Sequence, residues 1–96
     1  MGITDLLNFN RAEILRLARE HGAHNVRIFG SVARGEARPD SDIDFLVDME
    51  GGRSLLDLIE FSQDLEELLQ RKVDILTDGG LSPYLKERIH AEAAPL

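Results

Sequence analysis

Apolar positions along the chain alternate between helical spacing and short compact runs, and the change of period marks the elements. Ile14, Leu15, Leu17 and Ala18 form one helical face, with Arg11, Arg16, Arg19 and Glu20 mostly off it. Asn10 with Glu13 three positions on resembles a capping box, and Gly22 is a stop, so the spacing predicts a helix over about 10–21. Residues 1–9 read as a partly helical lead-in, and His21 and His24 as surface residues at the helix end. Val26, Ile28 and Phe29 predict a strand over about 25–29 that stops at Gly30-Ser31. A single helical turn over 31–35 ends at Gly35, and Pro39 keeps 38–40 as loop. Asp42-Ile43-Asp44 leads into a second apolar run, Phe45 to Val47, in a second strand, about 42–48.

After the turn at Glu50-Gly51-Gly52, Ser54 and Asp57 open a long helix over about 54–70. Its predicted core stripe is Leu55, Leu58, Ile59, Ser62, Leu65, Leu68 and Leu69, with Glu66 and Glu67 outside. Val73 to Thr77 is a third strand. Gly79-Gly80 turns the chain, and Ser82-Pro83 starts a last helix to about His90–Glu92, beyond which Ala94-Pro95-Leu96 is expected to fray. The fold class that follows is α/β (α+β), a small mixed sheet with helices packed on one face.

Ninety-six residues predict a single domain over 1–96, with one modest core. No cysteine is present, so disulfides and thiolate zinc sites are excluded. No apolar stretch approaches the ~20 residues of a membrane span, and no basic region leads an apolar one at the N-terminus, so a cytoplasmic location is expected. Eighteen acidic residues against 11 basic ones give a net charge of −7, which argues against autonomous nucleic-acid binding. Acidity of this size suits a basic protein partner, and equally the solubility of a small protein.

The candidate chemistry lies in residues 26–48, VRIFGSVARGEARPDSDIDFLVD. Alternation puts Asp42 and Asp44 on one strand face, roughly 7 Å apart, while Ile43, Phe45 and Val47 point into the core. Neighbouring carboxylates repel each other and resist burial unless something pairs with them. A hard divalent cation does so, and Mg²⁺ takes one or two carboxylates together with phosphate oxygens. Gly30 permits positive φ or close backbone approach, and Ser31 either offers a hydroxyl to the β- or γ-phosphate of a nucleotide or is a plain N-cap. If strand 73–77 lies beside strand 42–48, Asp74 joins the pair, and three carboxylates on adjacent strands suit two-metal phosphoryl transfer. In that reading Asp42 and Asp44 hold both ions, and Asp74 holds one and accepts the attacking hydroxyl's proton. Arg34 either neutralises phosphate or pairs with Asp40 or Asp42. Ser41 either hydrogen-bonds a metal ligand or only starts the strand, and Asp48 reads as a solvated end residue. Walker, Rossmann and Ser-His-Asp patterns are missing from the sequence.

Gly30-Ser31, ten intervening residues and Asp42-x-Asp44 together resemble the signature of the DNA polymerase β-like nucleotidyltransferase superfamily. The fuller string GSVARGEARPDSDIDFLV is similar to its small bacterial and archaeal branch, the minimal nucleotidyltransferases (MNT), which pair with HEPN-domain ribonucleases as toxin–antitoxin systems. The resemblance covers nearly the whole chain. It implies the nucleotidyltransferase fold, a third metal carboxylate at Asp74, two Mg²⁺ ions and ATP as substrate. It further implies the antitoxin of a type VII-like pair, moving AMP onto a tyrosine hydroxyl of a partner HEPN ribonuclease toxin. Larger relatives carry further domains that enclose base and acceptor; here the chain ends about 20 residues after Asp74, so an open site with a macromolecular acceptor is expected. A homo-oligomer is compatible with this reading. The competing readings are a binding-only antitoxin and a small-molecule, aminoglycoside-type nucleotidyltransferase.

Overall fold

A computed structural model describes residues 2–96. Helices α1 (Ile3–Phe9) and α2 (Arg11–Glu20) lead into strand β1 (Ala23–Phe29), the short helix α3 (Gly30–Ala33) and strand β2 (Ile43–Met49). Helix α4 (Leu55–Leu69) connects to strand β3 (Val73–Thr77), and helix α5 (Pro83–Glu92) to the two-residue strand β4 (Ala94–Pro95). The sheet order is β3-β2-β1-β4, with β1 antiparallel to β2 and β4, and β2 parallel to β3. The parallel pair requires a crossover, which α4 supplies. The predicted class, a small mixed sheet with helices, is what forms.

Ile43, Phe45 and Val47 of β2 are fully buried against the helical layer, meeting Ile14, Phe61 and Leu65 in one cluster. The opposite face of β2 carries Asp44, Leu46 and Asp48, and the period of two alone separates the sets. Among the described residues, no helix is long and apolar enough to cross a membrane.

Several local expectations change. Residues 3–9 form a full helix, because Ile3 and Leu7, one turn apart, bury against the core. Asn10 joins α1 to α2 but does not cap α2; its side-chain amide donates back to the Leu6 carbonyl at 2.9 Å. Glu13 pairs instead with Arg16. β1 begins two residues early because a bulge between His24 and Arg27, with Asn25 at φ 50°, breaks the alternation. That irregularity lets Ala23 and Val26, three positions apart, both face the core.

In α4 the core side is Phe61, Leu65 and Leu69, whereas Leu55 and Ile59 of the predicted stripe are exposed. Leu58, between them, packs partly against the core. Glu66 is not merely solvated, since it accepts the β3 edge amide of Val73 at 3.0 Å. His21 is tucked in, 5.8 Å from the Phe61 ring with Nε2 2.7 Å from Asp64. The C-terminal residues do not fray: Ala94 and Pro95 pair with Ile28 and Arg27.

Candidate active site

Asp44 and Asp74 are direct register partners on the parallel strands β2 and β3, so their side chains project from the same face. Asp42 lies just before β2, which starts one residue later than expected, and its Oδ2 is 3.9 Å from Lys72 Nζ. On the other side of β2, Phe29 is the register partner of Asp44, which brings Gly30 beside the Asp44 carboxylate. Gly30 has φ +74°, and a Cβ added there would collide with Asp44 Oδ2. Glycine is required twice over, for the left-handed backbone and for the space. The structure therefore brings Asp42, Asp44, Asp74, Gly30 and Ser31 to one end of the β2–β3 pair.

Arg34 and Ser41 have other engagements. Arg34 pairs with neither Asp40 nor Asp42; its guanidinium bridges Glu36 at 3.2 Å and Glu92 at 2.7 Å. Ser41 closes a turn, its hydroxyl accepting the Arg38 amide at 2.7 Å and its own amide donating to the Arg38 carbonyl. That leaves the Ser41 hydroxyl proton free to donate. Asp48 is not simply solvated: it binds Arg27 at 2.9 Å and Asn25 at 3.0 Å, apart from the other aspartates.

Glu92 is the member that sequence reasoning missed. It stands 62 positions from Gly30 at the end of a helix, and no local pattern links the two. Its Oε1 accepts the Gly30 amide at 2.5 Å as well as the Arg34 guanidinium. A cleft of about 450 Å³ opens here, lined by Gly30, Ser31, Arg34, Asp44, Arg88 and Glu92 among others, so α5 borders the acid face rather than joining the helical layer. A second cleft, about 480 Å³, lies at the opposite ends of β2 and β3 beside Asp48 and Asp78 and contains none of the three aspartates.

Burial raises the pKa of Asp44, and the nearby charges of Asp74, Asp42 and Glu92 raise it further, against the opposing pull of Arg34. The folded chain thus disfavours the ionised form of a carboxylate placed among other carboxylates. A divalent cation relieves that cost, and the acids fit one in this sense. Among the described residues no three acids or histidines converge closely enough to enclose an ion by themselves. Phosphate oxygens and water would have to complete the coordination, as is usual for Mg²⁺.

The raised pKa predicts a pH dependence with a definite sign. Because folded Asp44 binds its proton more tightly than the unfolded group, its contribution to stability falls as pH rises from the ordinary aspartate value of 3.8 through its own raised value. Asp44→Asn escapes this loss. In metal-free buffer, denaturant melts of both proteins should show the variant's advantage smallest in acid, growing through that window and then level. An advantage independent of pH would show that the Asp44 charge is not under strain.

Residues 12–95 match the nucleotidyltransferase domain family. Over 87 residues the chain is 44% identical to a Methanocaldococcus jannaschii protein provisionally named a protein adenylyltransferase, with 91% of this chain and 94% of that one covered. The protein adenylyltransferase MntA of Thermococcus cleftensis is 40% identical over 76 residues, 79% of this chain and 77% of its own. A solved structure described provisionally as a minimal nucleotidyltransferase superposes with a TM-score of 0.87 at 51% identity, covering 96% and 94% of the two chains. A chain of a mutant MntA–HpeT toxin–antitoxin assembly superposes with a TM-score of 0.74 at 25% identity, over 91% of this chain and 71% of that one.

Proposed function

The chain belongs to the nucleotidyltransferase domain family, and from that premise we propose that it is an antitoxin that moves AMP from ATP onto a tyrosine hydroxyl of a HEPN-domain ribonuclease toxin in the cytoplasm. The observation that carries the chemistry is the register of Asp44 with Asp74 beside the Gly30 bend. Support for a protein acceptor comes from MntA, itself a protein adenylyltransferase, and from an MntA toxin–antitoxin assembly.

In this reading the Gly30 amide, the Ser31 hydroxyl and the Arg34 guanidinium bind phosphate oxygens of ATP, and Ser41 donates to an adjacent carboxylate. Asp42, Asp44 and Asp74 would hold Mg²⁺, two ions being the number that three carboxylates suit, and the metal would neutralise the triphosphate and steady its leaving group. Asp74, the most open of the three acids, accepts the proton of the tyrosine hydroxyl as that oxygen attacks the α-phosphorus. Pyrophosphate departs opposite the incoming oxygen. The aspartates sit in an open face, which suits a hydroxyl presented on another protein's surface.

Incubating the protein with its cognate toxin, ATP and Mg²⁺ should add about 329 Da per transfer to the toxin, read by intact mass. An active, correctly matched toxin that gains no mass would refute the proposal. Exposed Leu55, Leu56 and Tyr84 favour a second reading, an antitoxin that works by contact alone. The double variant Asp42→Ala/Asp44→Ala separates the two in cells: neutralisation that survives it points to contact, and neutralisation that is lost points to chemistry.

A further inference from the structure

Glu92 places an anion where the nucleotide reading requires one. Its Oε1 lies 2.5 Å from the Gly30 amide and 2.7 Å from Arg34 Nη1, so one carboxylate oxygen takes both donors. Phosphate oxygens seek the same kinds of donor with the same charge-assisted geometry. The same carboxylate faces Asp44 across the cleft, where two negative groups repel each other. Glu92 sits at the last turn of α5, a helix with no fully buried residue, so its carboxylate is held mainly by these two donors.

We propose that Glu92 is a built-in competitor for the nucleotide's phosphates: its carboxylate holds the Gly30 amide and Arg34 until a metal-bound polyphosphate displaces it. The proposal rests on the nucleotide reading above and adds a selectivity device to it. A weakly charged anion cannot match the carboxylate for both donors, whereas a triphosphate also engages the acid face through its cation. Displacement frees Arg34 to turn from Glu92 to phosphate. Glu92 is a positioning residue and takes no part in bond making.

The test is calorimetric titration of the full chain with two probes, a non-hydrolysable ATP analogue and inorganic tripolyphosphate, each with Mg²⁺. Glu92→Gln keeps a carbonyl oxygen for the Gly30 amide but removes the charge, so its melting temperature should stay near that of the wild type. Both probes should bind it roughly tenfold more tightly, the effect expected from removing one competing charge-assisted contact, and Glu92→Ala should show the same direction. The gain should shrink as salt screens the contact. Equal or weaker binding by the variants, with good binding by wild type, would overturn the competitor role and leave the nucleotide site standing. Failure of both probes to bind any of the three proteins would overturn the competitor and the nucleotide site together.

Discussion

Asp44→Asn should reduce AMP transfer by on the order of 10³-fold or more while making the metal-free protein harder to unfold. Both effects come from one placement. Asp44 is half-buried between Gly30 and Asp74, and its charge is opposed by desolvation first and by neighbouring carboxylates second. Asparagine fills the same volume without the charge, so the apo fold loses a source of repulsion. The gain should be about 1 kcal/mol, roughly 4–8 °C for a domain of this size. Adding Mg²⁺ and nucleotide should then reverse the order, stabilising wild type and leaving the variant unmoved. Asp48→Asn is the control: Asp48 is held by Arg27 and Asn25 away from the cleft, and its loss should leave transfer intact. Thermal melts with and without Mg²⁺, beside a transfer assay, read all of this. An Asp44→Asn protein that still transfers AMP at the wild-type rate would remove that residue from the site.

Gly30→Ala should be nearly as damaging, by another route. Alanine at φ +74° costs about 1–2 kcal/mol, and its Cβ would drive into the Asp44 carboxylate, where crowding adds about 1–3 kcal/mol. The sum is a large part of the 5–15 kcal/mol that stabilises a typical domain. Transfer should also fall by about 10²-fold, since both the amide and the carboxylate must shift. Gly52 supplies the comparison, with φ +86° but nothing within 4 Å of its added Cβ. Gly52→Ala should therefore show the backbone cost alone. Combining Gly30→Ala with Asp44→Ala should return much of the crowding cost, a non-additivity that a double-mutant cycle measures. Equal destabilisation by Gly30→Ala and Gly52→Ala in urea melts would mean that no crowding exists at Gly30.

These contrasts also show where the sequence was sufficient. The alternation of Asp42, Ile43, Asp44 and Phe45 was enough to separate an acid face from a core face, and the structure keeps that separation although Leu46, on the side of Asp44, is also fully buried. The pairing of β2 with β3 stood only as a condition: an acid in the short apolar run Val73–Thr77 gave a reason for it, and the family resemblance implied the third carboxylate, but no local pattern fixes which strands pair. The start of α4 misled because helical spacing says which residues share a face, not which side of the helix the core covers; Phe61, not Leu55, meets the core. The bulge in β1 was hidden because an irregular strand has no period to detect. Glu92 could not have been found locally, since its link to Gly30 and Arg34 joins residues roughly 60 positions apart and depends on β4 pairing beside β1 and on where α5 comes to rest.

The most direct measurement is nucleotide binding with and without a divalent cation, by calorimetry with a non-hydrolysable ATP analogue, on wild type and on Asp42→Asn/Asp44→Asn. If the aspartates and the Gly30 bend form one metal–triphosphate site, wild type binds the analogue with Mg²⁺ and loses it in EDTA, and the double variant binds in neither condition. Binding by wild type that is unchanged in EDTA, or undiminished in the double variant, would contradict that site.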